Sequence, residues 1–400
     1  MNVLFLTLVE INSVEERGIY QDLLRKFRDE GHSVTIVTPV ERRRSIKTNL
    51  TVKEGITLLQ VQTLNIQKTN IVEKGIGTLA LEYQYLRAVK KYLIKEKFDL
   101  VLYSTPPITL VKVVEYIKKR DGAFAYLLLK DIFPQNAVDM KMIAENGLIH
   151  RQFQKKERKL YEVSDAIGTM SPANAGFVAR HHPYLDASKI EVNPNSIVPL
   201  YLGYTEDEKK RIREKYELPT EKRILVYGGN LGRPQGLDFL LETITAVSFE
   251  QAFFLIVGEG TEYNRIQQWM EDNKPVNAKL LRKLPKEDYD MLLSSCDIGL
   301  IFLERNFTIP NFPSRLLSYL EMQMPVIAAT DPNTDIGDII EKHGCGYKVP
   351  SGDRDRMVTV VDLLMDVDLA QYRQPCKNLL ESEYHTRRSY DIIMKWFHKK

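Results

Sequence analysis

The residues best placed to do chemistry lie in three short segments in the second half of this 400-residue chain. The first is Tyr227-Gly228-Gly229-Asn230-Leu231-Gly232-Arg233-Pro234-Gln235-Gly236-Leu237. Here an apolar run enters a glycine-rich turn that opens a helix. Glycines let backbone N–H groups approach a phosphate with no Cβ in the way. Arg233 adds a planar cationic fork that suits a diphosphate. The second segment, Gly258-Glu259-Gly260, closes the next apolar run. Glu259 can accept hydrogen bonds from sugar hydroxyls or a base, or the segment can be a capping turn before Thr261. The third is Asn311-Phe312-Pro313-Ser314-Arg315-Leu316-Leu317-Ser318-Tyr319-Leu320. Proline then serine opens a helix whose first N–H groups favour an anion, with Arg315 in reach of the same diphosphate. Each segment alone also reads as an ordinary turn or a capped surface helix.

The elements that must hold these segments follow from periodicity. In the first half, strands are expected at Val3–Val9, Ser33–Thr38 (stopping at Pro39), Leu100–Ser104, Ala123–Leu129, Ala166–Met170 and Lys189–Val192. Helices fall between them, at Ile19–Glu30, Leu79–Lys97, Thr109–Lys119, Arg151–Val163 and Pro172–His181. The stretch Asn65–Gly77 is weakly patterned and reads as a mobile loop. After a charged linker helix at Tyr204–Tyr216, the alternation restarts with strands at Arg223–Tyr227, Ala252–Val257, Ala278–Leu281, Asp297–Leu303 and Val326–Ala329. Two consecutive βα arrays predict two doubly wound α/β domains with parallel sheets. Ligands in such domains lie beyond the carboxyl ends of the strands, where the strand order reverses. The natural site is then the cleft between the two domains.

Composition narrows the classes. The chain is 44% hydrophobic and 27% charged, which excludes disordered or fibrous sequence. No run of about 18 apolar residues occurs, so no membrane-spanning helix is expected. The start lacks a basic segment and reads as a buried strand rather than a leader. Cys296, Cys345 and Cys376 are far apart and suggest neither a zinc site nor a disulfide framework. The net charge of +3 is uneven. Residues 1–200 carry 29 Lys+Arg against 22 Asp+Glu, and residues 201–400 carry 27 against 31. A basic first half suggests an anionic partner or surface. Its clusters are Arg42-Arg43-Arg44, Lys118-Lys119-Arg120 and the basic amphipathic stretch Arg151–Lys159. They lack interleaved aromatic stacking residues, so nucleic acid is not the expected partner.

Taken together, these segments resemble the retaining GT-B glycosyltransferases of family four, and most nearly the subgroup that builds bacterial capsule and O-antigen polysaccharide. The likeness covers nearly the whole chain. It rests on Gly-Gly-Asn-Leu-Gly-Arg-x-Gln-Gly at 228–236, Val257-Gly258-Glu259-Gly260, Pro313-Ser314-Arg315 and Tyr319 through Ala328. In the first half it rests on Ser104-Thr105-Pro106-Pro107, Asp131-Ile132-Phe133-Pro134 and Val192-Asn193-Pro194-Asn195-Ser196.

The resemblance implies two Rossmann-like domains facing across a cleft. Residues 1–200 would bind the acceptor, rejoined by a C-terminal helix at 384–400, and residues 201–383 would bind the donor. The implied reaction moves a sugar from a nucleotide diphosphate sugar, most often UDP-linked, to an acceptor hydroxyl, with retention and without a metal or other cofactor. Arg233 and Arg315 would neutralise the leaving diphosphate. Gly229, Asn230, Glu259, Lys283, Leu284, Ser314, Leu316, Ser318 and Glu321 would complete the donor site. The acceptor would be a glycan or a polyprenyl-diphosphate-linked sugar. The protein would be cytoplasmic and peripheral on the inner membrane face through its basic half.

Three departures from the family pattern matter. Two family glutamates fall at Pro310 and Ser318, so Ser318 or Glu321 must substitute. The usual lysine after Arg233 is missing, leaving Arg315 or Lys283 to supply that charge. A histidine is replaced by Lys130, which makes Asp131 the expected acceptor-side base or hydroxyl positioner, unless it merely caps the following turn. The lost glutamates also leave open a non-catalytic sugar-nucleotide-binding subunit, and the fold admits a sugar-nucleotide epimerase.

Overall fold

The computed structural model describes residues 1–65, 71–247 and 252–398. The chain divides into two compact units, Met1–Val198 with Thr386–Lys400, and Pro199–His385.

Unit 1 is built on an eight-stranded sheet. Its strands are β1 (Asn2–Leu6), β2 (Ser33–Glu41), β3 (Asn49–Lys53), β4 (Ile56–Thr63), β5 (Leu100–Ser104), β6 (Phe124–Leu129), β7 (Ala166–Thr169) and β8 (Ile190–Val192), in the order β3-β4-β2-β1-β5-β6-β7-β8. Its helices are α1 (Ile19–Asp29), α2 (Ile71–Tyr92), α3 (Val111–Asp121), α4 (Gln135–Asp139), α5 (Leu148–Val163) and α6 (Pro172–His181). All neighbouring strands run parallel except β3 against β4. The strand order reverses between β1 and β5. Strands such as β5 are buried along their whole length, which explains why their sequences do not alternate.

Three local expectations need correction. The second strand does not stop at Pro39 but runs to Glu41, with Pro39 opposite Val61 of β4. Pairing with β1 ends at Leu6–Val37. Beyond it no strand pairs with that flank of β2 among the described residues, so a missing N–H interrupts no ladder. The β3–β4 hairpin escaped periodicity altogether. Its signal was the pair Glu54-Gly55, both at positive φ (55° and 74°), the geometry of a two-residue hairpin turn. Finally, of the loop expected at 65–77, residues 71–77 belong to α2, and 66–70 lie outside the described residues.

Unit 2 is a six-stranded, wholly parallel sheet of β9 (Arg223–Asn230), β10 (Ala252–Glu259), β11 (Ala278–Arg282), β12 (Ile298–Phe302), β13 (Val326–Thr330) and β14 (Gly346–Pro350). Its order is β11-β10-β9-β12-β13-β14, so the reversal lies between β9 and β12. Its helices are α7 (Glu206–Lys215), α8 (Leu237–Ala246), α9 (Tyr263–Asn273), α10 (Lys286–Ser294), α11 (Arg315–Glu321), α12 (Ile336–Lys342), α13 (Arg354–Asp366) and α14 (Arg373–Glu383). A last helix, α15 (Thr386–His398), returns to unit 1. Its Ile393 and Met394 join the core of Phe5, Phe27 and Leu102, and Tyr390 packs edge-on against Phe27.

Candidate active site

The reversal point of unit 2 is held open by one tyrosine. Between β9 and β12 only Leu225–Ile298 and Val226–Gly299 are paired. Past them the backbone groups need other partners. The buried Tyr319 hydroxyl supplies them: it accepts from the Gly228 N–H (3.2 Å) and lies 3.1 Å from the Val226 carbonyl and 3.0 Å from that of Leu300. A Cβ on Gly299 would sit 2.5 Å from the Tyr319 ring, which explains the glycine in a buried strand.

The glycine-rich turn then sorts by role. A Cβ on Gly228 would lie 1.8 Å from the Tyr289 hydroxyl, and one on Gly258 would lie 2.0 Å from the Gly229 carbonyl. These two are set by packing. Gly229 differs. It is exposed, with φ 121°, a conformation that disfavours side chains. It leaves bare backbone at the carboxyl end of β9, followed by the exposed Asn230.

Arg315 faces this bare backbone. It is the first residue of α11, and its guanidinium lies 4.2 Å from the centroid of the Tyr227 ring. Nη2 donates to Gln235 Oε1 at 2.5 Å and would be 3.8 Å from a Cβ on Gly229. Nη1 is buried without a directed hydrogen bond, although the Tyr227 hydroxyl interacts with the guanidinium. Among the described residues no carboxylate forms an ion pair with Arg315. A guanidinium stays protonated in proteins, so this is a desolvated positive charge with no protein counter-charge.

Arg233, the planar cation of the glycine-rich turn, is not held in place by packing. It begins a single 3-10 turn, Arg233–Gln235, and its side chain is 74% exposed, with Nε 3.7 Å from Glu262. The remaining predicted residues scatter around the strand ends. Glu259 ends β10 and is exposed, while Lys283 (exposed) and Leu284 follow β11. Ser314 takes the N-cap position of α11 without a side-chain capping bond, and Leu316 is fully buried. Ser318 is half-buried on α11. Glu321 is buried, and its Oε1 accepts the Leu200 N–H at 2.6 Å, which ties residue 200 to α11. Asp-x-Asp spacings occur at 288/290, 353/355 and 366/368, all at helices. Of these, Asp290 pairs with Lys286 and Asp353 caps α13.

In unit 1, Asp131 stands just past the end of β6. Its two carboxylate oxygens receive the Asn136 side-chain N–H groups at 2.8 and 2.7 Å. The Thr105 hydroxyl accepts from the Lys130 and Asp131 N–H groups and donates to the Asp131 carbonyl. Burial raises the Asp131 carboxyl to about 6. Burial also lowers the neighbouring Lys130 amine to about 7, and its Nζ donates to the Asn193 carbonyl at 3.0 Å. The Asn193 side chain donates to Tyr126 and accepts from Ser389 of α15. Sequence reading missed Tyr319, Tyr227 and Gln235 as arginine and strand partners, and Asn136 and Asn193 as supports. Only Asn136, five residues past Asp131, left a local trace.

The comparisons with known proteins follow this division. Residues 208–378 match the family model described as glycosyl transferases group 1. The matched stretch contains the glycine turn, Arg315 and Tyr319. The chain is 22% identical over 329 residues to the probable glycosyltransferase WbjE of Pseudomonas aeruginosa, covering 79% of this chain and 78% of that one. It is 27% identical over 133 residues to the putative colanic acid biosynthesis glycosyl transferase WcaI of Escherichia coli K12, covering 32% of each. Among solved structures, Anabaena Alr3699/HepE in complex with UDP superposes with a TM-score of 0.71 at 13% identity, over 100% of both chains. The fold is the GT-B fold, two Rossmann-like units, and its structural neighbours are glycosyltransferases. Of these relatives, WcaI is the one named for colanic acid biosynthesis.

Proposed function

We propose that the chain transfers a sugar from a UDP-sugar to a hydroxyl of a glycan or lipid-diphosphate-linked acceptor in bacterial cell-surface polysaccharide synthesis. One observation carries this reading: Arg315 is half-buried with its Nη1 fully buried, has no carboxylate partner among the described residues, and faces the exposed backbone of Gly229 at the reversal point of unit 2. A nucleotide diphosphate supplies the missing negative charge. Arg315 holds that charge in the ground state and stabilises it further as the diphosphate departs, because the group is already oriented and desolvated. The exposed Arg233 closes on the same diphosphate by leaving Glu262. Asn230, Glu259, Lys283, Leu284, Ser314 and Ser318 contact the nucleotide and sugar. In this reading the charge on the leaving group is met by arginines and backbone amides without a metal, and the sugar keeps its anomeric configuration. The UDP of the Anabaena complex supports uracil as the base.

Asp131 orients the acceptor hydroxyl and takes its proton. A carboxyl raised to about 6 is ionised at neutral pH, yet basic enough to attract that proton. Peripheral attachment to anionic lipid is supported by α5, where exposed Leu148 and Ile149 adjoin Arg151 and Lys155. No helix of the described residues is long and apolar enough to cross a membrane.

UDP release from a panel of UDP-sugars, with membrane lipid extract as acceptor source, tests the reading. Acceptor-dependent release with one donor is expected. If no UDP-sugar shifts the melting temperature and none is consumed, the reading fails.

A further inference from the structure

The neutral side chain that meets Arg315 is held in place by its own backbone. Gln235 closes the 3-10 turn Arg233–Gln235 and is buried. Its N–H donates to the Gly232 carbonyl at 3.1 Å, and the Pro234 carbonyl accepts from the Glu304 N–H at 3.0 Å. Gly236 follows with φ 55°, and a Cβ there would lie 2.6 Å from the Leu303 carbonyl oxygen. The turn is therefore pressed onto the chain that leaves β12. Residue 235 takes its direction from these backbone contacts, not from Arg315.

This placement fixes an oxygen beside the guanidinium. Gln235 Oε1 accepts from Arg315 Nη2 at 2.5 Å and lies 3.4 Å from the Tyr227 hydroxyl. That hydroxyl donates to the Asn230 carbonyl at 2.9 Å, which ties the arginine's surroundings to the glycine turn. The Tyr227 ring faces the guanidinium at 4.2 Å. A glutamate at position 235 would have the same length and shape. It would also make a charge-assisted pair with Arg315 and cancel the cation locally. The amide oxygen accepts the same hydrogen bond and brings no net charge. Arg315 is thus aimed without being neutralised.

We propose that Gln235 is a positioning residue for pyrophosphate binding: it orients Arg315 through a neutral oxygen and leaves the whole positive charge to the ligand. That the pyrophosphate belongs to a nucleoside diphosphate rests on the transferase reading. That the site takes an anion follows from the geometry of Gln235, Tyr227 and Arg315.

Calorimetric titration of the full chain with UDP, inorganic pyrophosphate and uridine tests this, with a melting curve for each protein. Gln235→Glu is expected to weaken UDP and pyrophosphate about 30- to 100-fold, because the phosphates then meet a carboxylate beside a compensated arginine. Uridine affinity is expected to stay the same. The melting temperature is expected to be no lower than that of the unsubstituted chain, since Arg315 gains an ion pair. Gln235→Met, which keeps the length and removes the acceptor, is expected to weaken both phosphate ligands about three- to tenfold. In the Arg315→Ala background the same substitution is expected to cost nothing more, because Gln235 acts through the arginine. Unchanged affinity for the phosphate ligands in either variant, an equal loss for uridine, a fall in the melting temperature of Gln235→Glu, or a further loss from Gln235→Met on top of Arg315→Ala would each overturn the proposal. If the unsubstituted chain binds pyrophosphate and not UDP, the transferase reading falls, and the pyrophosphate titrations decide the role of Gln235. If it binds neither, both fall.

Discussion

Arg315 and Asp131 carry opposite charges into sites that each disfavour them, for different reasons. Around Arg315, Gln235 and the Tyr227 ring offer dipoles and a π face but no full negative charge. Around Asp131, two N–H groups of Asn136 favour the carboxylate, yet burial outweighs them. The folded-state value near 6 lies above the ordinary 3.8, so the folded protein holds this proton more tightly than the unfolded chain does. The contribution to stability is complete below pH 3.8 and is lost as pH rises through 6. Two results are expected of Asp131→Asn. Thermal unfolding shows it more stable than the parent at pH 8 and not at pH 3.5. Transfer is abolished while UDP affinity stays, and in the parent the rate climbs with pH through about 6. Loss of UDP affinity in this variant would remove Asp131 from the acceptor side.

At the scale of elements, the reversal between β9 and β12 depends on a helix residue rather than on the strands. Replacing Tyr319 by Phe keeps the ring against Gly299 but leaves the Gly228 N–H and two carbonyls without that partner. A loss of about 1–3 kcal/mol is expected in urea unfolding, together with weaker UDP binding as the β9 turn loosens. An unchanged midpoint would show that the strands hold themselves. Most of this architecture was legible beforehand. Most of the parallel strands are buried apolar runs, and the glycine turn marks its own strand end. The β3–β4 hairpin was not legible, because its strands are short and mostly polar on β3. The course of β2 through Pro39 depends on where β1 ends, which is a property of a neighbour. The charged residues of the candidate site stand out in the sequence, and their structural partners do not. Nothing near Tyr227 or Gln235 in sequence announces Arg315, which is 80 residues beyond Gln235. The same limit made Arg233 look like the fixed cation. Its burial depends on packing that a local motif does not encode.

At the scale of the molecule, the two units are built on similar sheets, and α15 belongs to the first although it follows the second. The link is specific. Ser389 reaches Asn193, which supports Lys130, and Trp396 and Lys395 meet Glu191. The basic excess of the first half fits an anionic surface, and α5 presents basic residues beside Leu148 and Ile149, which are 83% and 61% exposed. Flotation with anionic liposomes is therefore expected to recover the chain at low salt and to release it as salt rises. Substitution of Leu148 and Ile149 by serine should reduce recovery severalfold. No recovery at any salt would remove membrane attachment from the account.

The unpaired charge of Arg315 is tested most directly by calorimetric titration of the unsubstituted chain and the Arg315→Ala variant with UDP and with uridine. UDP should bind the unsubstituted chain far more tightly than uridine. The substitution should cost UDP about 3 kcal/mol, roughly a hundredfold, and leave uridine nearly unaffected. Equal UDP affinity in the two proteins, or an equal loss for uridine, would contradict it.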